Sequence, residues 1–402
     1  MHDVVALGRA DAGAAGGLTD RQAELLAHRA GGTPVYAYSR AAMRDAVARV
    51  RGASVHGAQI FYSLKANPHA GVLTHLTTLV DGFDVCSLAE LEAALNAGMA
   101  PERVLFTGPA KSRQEAAASL AAGVAVTIES PRQALLYAEL ARELDVAGRA
   151  VVRLNAPYPS KHAGAPPSPN HFGVGEDDLV EVVGILHASP MAVTGLHAFW
   201  GSQYFDAGII TAARRAAMGR ARAIVERFGL TLDVVAIGGG IGMPWCDEDP
   251  PVDWDGLRAA SRDPELVDRA GAAAIVCEYG RSIVGPAGSL LTRVLDTKRI
   301  GDRRYVLVDA GMNHMQIASR LVAGGGRGEP SVRAVSPRDP GALSPAHVTG
   351  PLCSQLDVLA EDVLLPEVEV GDLLAFSGVG AYGPTFSPSG FLSREPIREV
   401  VV

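Results

Sequence analysis

The stretch Ala58-Gln59-Ile60-Phe61-Tyr62-Ser63-Leu64-Lys65-Ala66-Asn67-Pro68 places a lone cation at the end of an apolar run, directly before a turn signal. A continuous apolar run is how a strand buried on both faces reads, as in a parallel sheet covered by helices. An ammonium at the end of such a strand must find a partner, lose its proton or do chemistry. If it does chemistry, Lys65 reads as a Schiff-base lysine.

Seven further β-branched or apolar runs follow, near 82–86, 103–107, 124–128, 150–154, 192–197, 233–237 and 273–277. The segments between them carry helix starts. Ser87-Leu88-Ala89-Glu90 reads as a capping box, and Ser130-Pro131-Arg132-Gln133 adds proline at the first helical position. Eight strand–helix alternations predict an α/β fold, a (β/α)8 barrel. The runner-up is an open doubly wound sheet, which ordinarily needs fewer units. After about residue 280, runs such as Tyr305-Val306-Leu307-Val308 and Asp372-Leu373-Leu374-Ala375-Phe376 stand between Gly/Pro-rich turns without convincing helices, so a separate β-domain is expected. Gly324-Gly325-Gly326-Arg327-Gly328 reads as a mobile loop, and the stretch to Gly17 as a fraying end.

Composition narrows the function classes. With 402 residues, 48% of them hydrophobic, the chain can bury a large core, and a net charge of -8 (36 bases, 44 acids) argues against nucleic acid or anionic membrane as partner. No basic-plus-apolar leader and no run long enough to span a bilayer are present, so a soluble cytoplasmic protein is the expectation. Cys86, Cys246, Cys277 and Cys353 have neither disulfide-framework nor zinc spacing, and no metal is expected.

Barrel active sites collect at the C-terminal strand ends. On that rule Lys65, Asp84, Arg153, Asn155, His197, Gly238-Gly239-Gly240 and Glu278 converge on one mouth. Glycines let backbone N–H groups approach an anion, and the loop after the seventh strand is a recurrent phosphate site. Glu278 and Arg281 read either as a surface ion pair, worth little, or as dividing the holding of a cofactor's ring nitrogen and phosphate. A carboxylate at about 4 Å from a pyridinium gains roughly 4 kcal/mol at an effective dielectric near 20. Lysine, phosphate cradle and carboxylate together are the parts pyridoxal phosphate needs.

The ordered motifs Phe61-Tyr62-Ser63-Leu64-Lys65-Ala66-Asn67, Phe83-Asp84-Val85-Cys86-Ser87, His171-Phe172-Gly173-Val174, Gly201-Ser202-Gln203, Ile237-Gly238-Gly239-Gly240, Glu278-Tyr279-Gly280-Arg281, Gly350-Pro351-Leu352-Cys353 and Gly380-Ala381-Tyr382-Gly383 run through nearly the whole chain. With them the sequence resembles the fold type III pyridoxal-phosphate-dependent decarboxylases, the ornithine, arginine and diaminopimelate decarboxylase group. The resemblance implies an alanine-racemase-like barrel over 37–280 and a β-domain from 1–36 and 281–402 that completes the partner's active site in a homodimer. It implies Lys65 as the cofactor's lysine and Glu278 on the ring nitrogen. Ser202, Gly239, Gly240, Arg281 and Tyr382 would hold the phosphate. Asp84, Arg153 and Phe199 would complete the cofactor site. Cys353 would protonate Cα after CO₂ departs, a thiol with an ordinary pKa near 8.5 being mostly protonated at pH 7.

Two departures bear on the substrate. The family usually places histidine two residues before the Gly-Ser pair, where Phe199 stands here, with His197 two residues earlier. Phe199 can stack but cannot hydrogen-bond. After Cys353 the diamine-forming and diaminopimelate enzymes generally carry an acid; here it is Ser354. Losing that carboxylate removes a charge-assisted bond of roughly 1.5–3 kcal/mol. The run Gly350 to Asp357 is similar to a natural-product branch that includes butirosin-type decarboxylases of aminoacyl groups on an acyl carrier protein. The leading expectation is therefore a carboxy-lyase for a non-diamine α-amino acid, either free or presented as an aminoacyl thioester on an acyl carrier protein. The alternatives are a free amino acid such as diaminopimelate, lysine or ornithine, a racemase, or a non-catalytic homologue. His197, Arg320, Ser354 and Asp357 are the expected substrate-facing residues. Loop 158–171 is read as a lid or a passive insertion, and Arg214, Arg215, Arg220 and Arg222 as a solvated helix face or, alternatively, a face that docks an acidic carrier.

Overall fold

The computed structural model describes residues 18–156, 170–246, 249–316, 330–339 and 341–402. The chain divides into two compact units, one of residues 44–243 and 250–283, the other of residues up to 43, 244–249 and 284–402. The division thus falls at residue 43, seven positions beyond the boundary expected from sequence, because residues Val35–Tyr38 and the start of the following helix belong with the β-rich unit.

The first strand, β1 (Val35–Tyr38), pairs within that unit. The next eight form the closed parallel barrel: β2 (Gln59–Ser63), β3 (Gly82–Val85), β4 (Val104–Phe106), β5 (Ala125–Ile128), β6 (Gly148–Leu154), β7 (Met191–Ala198), β8 (Leu232–Ala236) and β9 (Ala272–Tyr279). These are the eight expected runs, shifted by a residue or two at their ends. Phe61, Leu105, Val151 and Ala236, one each from alternate strands, form a buried layer with Val276, the packing that fills a barrel interior.

Register then decides which polar residues point inward, since directly paired residues share a face and a strand alternates with period two. Glu278 pairs with Phe61, and Asp84 with Leu105. His197 pairs with both Arg153 and Ala236. All four charged or titratable side chains therefore join the interior set that Phe61, Leu105 and Ala236 define. The helix starts are local. Ser130 caps its helix by accepting from Gln133 N–H, with Pro131 in the first turn. Ser87 accepts from Glu90 N–H, but Glu90 reaches back to the N–H of Cys86 instead of Ser87, so the expected capping box closes one residue further out.

The other unit is a sheet in the order β12 (Val332–Val335), β15 (Leu373–Ser377), β10 (Gly288–Ile300), β11 (Arg303–Val308), β13 (Ser344–Thr349) and β14 (Val358–Leu365). Beside β10 lies β1, which also pairs in parallel with β16 (Arg398–Val401). Its core gathers Ala23, Ala27, Val35, Leu291, Val335, Leu373 and Ala375. At the start of β10 the chain passes within contact of the 379–380 turn. A Cβ on Gly288 would stand 2.1 Å from Gly380 Cα, and one on Gly380 would stand 2.0 Å from the Val284 carbonyl. Both are backbone contacts that cannot yield cheaply. Gly288→Ala is expected to destabilise the chain by about 1–3 kcal/mol, read as a lowered urea midpoint; an unchanged midpoint would show that the turn can move aside.

Candidate active site

Lys65 lies in the 3-10 turn Leu64–Ala66 just past β2, and it is exposed where its neighbours Leu64 and Ala66 are buried. Its ammonium sits 5.8 Å from the centre of the Phe199 ring. It acts electrostatically on Asp84 and Glu278, holding both toward their charged forms. The expected lone cation at the strand end is thus met by two carboxylates projecting from β3 and β9.

Glu278 is buried and depends on His197, whose Nε2 is 3.2 Å from both of its oxygens. The hydrogen-bond geometry serves Oε2, leaving Oε1 buried with no hydrogen-bond partner among the described residues. Burial pushes Glu278 upward, but the charge and hydrogen bond of His197, with Lys65 and Arg153, outweigh it and hold the carboxyl below its usual range. Asp84 shifts the other way, because burial and the Glu278 charge outweigh Lys65 and the bond from Thr107. Thr107 Oγ1 donates to Asp84 Oδ1 at 2.7 Å, so Cys86, with Sγ 3.1 Å from Thr107 Oγ1, must be the donor there. Burial and the Asp84 charge push the Cys86 thiol up to about 12, which leaves it an inert structural donor.

Arg153 forms a buried ion pair with Glu129 at 3.1 Å, and its guanidinium lies 4.6 Å from the Phe172 ring centre and 5.9 Å from that of Phe199. Glu129 also accepts from Gly173 N–H at 3.0 Å. Asn155 donates to the carbonyls of Asn170 and Phe172, so it closes a loop on itself and does not face the mouth as a reactive group. Ser202 is exposed in the turn after β7, and Arg281 opens the short helix Arg281–Val284. Gly238 and Gly240 have φ of 65° and 72°. A Cβ on Gly239 would stand 2.0 Å from the Glu278 carbonyl, and one on Gly240 2.1 Å from the Trp200 ring. The glycine run is therefore required by the packing of the rim as well as suited to an anion.

Glu129, Lys111 and Thr107 were not among the residues singled out from sequence. Each stands at or just beyond the C-terminal end of a barrel strand, which is the signal that finds them once the barrel is accepted. Lys111 Nζ is held by the carbonyls of Gly108 (2.8 Å) and Thr127 (2.7 Å), with Thr127 Oγ1 and Gln133 Oε1 beyond.

In the β-rich unit Cys353 is exposed and Cys246 buried, and Cys277 is buried on β9 of the barrel. Tyr382 adopts φ 57° between Ala381 and Gly383. Ser354 Oγ accepts from Leu356 N–H at 3.2 Å. Asp357, expected to face substrate, is 2% exposed and spends its oxygens on the N–H groups of Met312 (2.6 Å) and Leu352 (2.7 Å). His197, expected likewise, serves Glu278 instead. Arg320, the Gly324–Gly328 segment, most of the 158–171 loop and the first 17 residues lie outside the described residues. The four helix arginines are each engaged within the barrel unit. Arg214 is fully buried on Ala53 O and the Tyr279 hydroxyl, Arg215 pairs with Asp263, Arg220 with Glu176, and Arg222 with Asp268. Among the described residues, no helix is long and apolar enough to cross a membrane and no cluster of ligating side chains could hold a metal.

A closed parallel barrel with a lysine, an orphaned carboxylate oxygen and a glycine turn at its C-terminal rim defines a class, the alanine-racemase-like pyridoxal enzymes. Residues 41–285 match the family model described as the pyridoxal-dependent decarboxylase, pyridoxal binding domain. The chain is 31% identical over 378 residues to the diaminopimelate decarboxylase of Helicobacter pylori, covering 92% of this chain and 90% of that one. It is 28% identical over 382 residues to the L-glutamyl-[BtrI acyl-carrier protein] decarboxylase of Niallia circulans, covering 92% and 88%. The crystal structure of the Helicobacter pylori diaminopimelate decarboxylase complexed with L-lysine superposes with a TM-score of 0.81 at 29% identity, over 94% of each chain. The chain belongs to the pyridoxal-dependent decarboxylases, and it is a carboxy-lyase that uses pyridoxal phosphate. The residues present fit that cofactor. The buried, unpartnered Glu278 Oε1 is the acceptor a protonated ring nitrogen requires, and a buried acceptor left without a donor is costly.

Lys111 supplies a test of how the rim is built. Burial lowers it from 10.5 to about 8 despite the nearby Glu129. Between these values the unfolded chain binds the extra proton, so stability from this group rises with pH through that window and is most reduced below about 8. The full range amounts to on the order of 3 kcal/mol. From pH 7.5 to pH 10 the urea midpoint of the natural chain should rise relative to that of Lys111→Met; parallel behaviour of the two would contradict the buried-ammonium assignment.

Proposed function

We propose that this decarboxylase acts on a free α-amino acid with a polar distal end, diaminopimelate, lysine and ornithine being the first candidates, and that it works as a cytoplasmic homodimer. The diaminopimelate decarboxylase relatives support this over most of the chain's length. The observation that carries the choice over a tethered substrate is the state of the helix Ala207–Phe228. Arg214, Arg215, Arg220 and Arg222, the basic face proposed for an acidic carrier, are buried or paired within the barrel unit.

When bound, pyridoxal phosphate supplies the electron sink that lets the α-carboxylate leave as CO₂. Lys65 is the amine that would anchor it, and its exposure at the rim leaves Nζ accessible to an incoming substrate amine. Glu278, kept ionised by His197, would hold the proton on the ring nitrogen through Oε1. Phe199 offers a flat apolar face beside Lys65 with no donor or acceptor of its own. The Gly239–Gly240 backbone, Ser202 and Arg281 are the groups available to a phosphate, with Tyr382 assigned there by family resemblance. Cys353 would return a proton to Cα from its Sγ–H, reaching the barrel of a partner subunit as the family resemblance implies.

A second reading, decarboxylation of an aminoacyl group on a carrier protein, is favoured by Ser354, which offers no charge to a distal ammonium, and by the Niallia circulans relative. The two readings separate by experiment. CO₂ release and product mass are measured with meso-diaminopimelate, lysine and ornithine and, in parallel, with glutamyl- and other aminoacyl-carrier thioesters. Turnover of free amino acids at least tenfold above the thioesters is expected, and the reverse order would establish the carrier reading. Lys65→Ala should lose the visible absorbance of the bound cofactor and reduce turnover by at least a thousandfold; a retained band would displace Lys65 from its role.

A further inference from the structure

The loop Gly350–Asp357 is built around a buried carboxylate. Asp357 Oδ2 accepts from Leu352 N–H inside the loop, and Oδ1 accepts from Met312 N–H in the segment that follows β11. Two glycines make room for it: a Cβ on Gly350 would stand 2.3 Å from Oδ2, and one on Gly311 2.8 Å from Oδ1. The loop's own backbone closes on the same residue, with Gly350 N–H donating to Asp357 O at 3.0 Å and Asp357 N–H to Ser354 O at 3.2 Å. At the far side Ser354 N–H donates to Leu352 O at 2.8 Å, a three-residue turn with Cys353 at its centre. Arg394 donates to Pro351 O at 3.2 Å and steadies the approach. The result is one exposed thiol on a segment whose neighbours are pinned on both sides.

We infer that Asp357 is a positioning residue for Cys353, presenting its thiol at a fixed place by caging the loop from within and fastening it to the 311–316 segment. Charged acceptors make the stronger hydrogen bonds, and here a single carboxylate satisfies two backbone donors that burial would otherwise leave unpaired. The catalytic meaning of this inference rests on the reading of Cys353 as the acid that protonates Cα, but the cage itself can be tested separately. The substituted position keeps nearly its shape in Asp357→Asn, while the amide nitrogen opposes one of the two N–H donors.

The experiment compares holoenzymes of the natural chain, Asp357→Asn, Gly350→Ala and Cys353→Ala. Alkylation of Cys353 by iodoacetamide is followed by mass spectrometry alongside kcat, KM and the visible absorbance of the bound cofactor. Asp357→Asn is expected to raise the alkylation rate at least threefold and lower kcat at least tenfold, with KM within threefold and the absorbance unchanged. Gly350→Ala, which crowds the same carboxylate, should move both readouts in the same direction. If alkylation rate and kcat stay at natural values in Asp357→Asn and Gly350→Ala while Cys353→Ala loses activity, the inference is overturned and the acid reading stands. If Cys353→Ala keeps full kcat, the acid reading fails, and the alkylation rates alone then decide whether the cage positions the thiol.

Discussion

An ionised carboxylate inside the barrel, Glu278, is the constraint on which the site's architecture rests. Removing a carboxylate from water is costly, and in a protein interior the charge survives only with compensating partners. His197 supplies the contact, with Lys65 and Arg153 adding favourable field. Each comes from a different strand end, and the register that brings them together also seats Phe61, Leu105 and Ala236 in the apolar layer. The polarity of the mouth and the packing of the barrel are therefore one arrangement. Sliding β9 by one residue would turn Glu278 outward and Tyr279 inward, losing both.

A division of labour follows among the acids and bases of the rim. Glu278 is held toward its charged form and Asp84 toward its neutral one, two carboxyls near one lysine with their affinities for a proton pushed apart. Glu129 and Arg153 neutralise each other beside the Phe172 ring, and Lys111 ties the turn after β4 to β5 through carbonyls. These last groups brace the strand ends and loops of the rim.

The β-rich unit solves a different problem. Its sheet pairs β1 with both β10 and β16, strands that lie on the far side of the barrel segments in sequence, so it is built from non-local pairing. On this sheet stand two loops whose backbone donors converge on Asp357. The same sequence neighbourhood that suggested a substrate-reading cluster, Cys353-Ser354-Gln355-Leu356-Asp357, splits into an exposed thiol and a buried cage.

Much was legible in the sequence because it is local. The eight strands announce themselves as apolar runs, Ser130 and Pro131 start a helix by their own chemistry, and the barrel rule places Lys65, Asp84, His197 and Glu278 at one end. The errors have a common cause. Glu90 closes its cap on Cys86, Asp357 turns inward, and Arg214, Arg215, Arg220 and Arg222 engage the Tyr279 hydroxyl, Asp263, Glu176 and Asp268 in turn. A polar side chain's role depends on which donor or acceptor reaches it, and for Asp357 and the helix arginines those partners lie five to 161 positions away. The sequence by itself determined the strand count, the rim lysine and the family, since these depend on residue type and short-range period. Only the tertiary structure decided which charges face each other, because burial and strand register, not spacing along the chain, set the partner of a carboxylate.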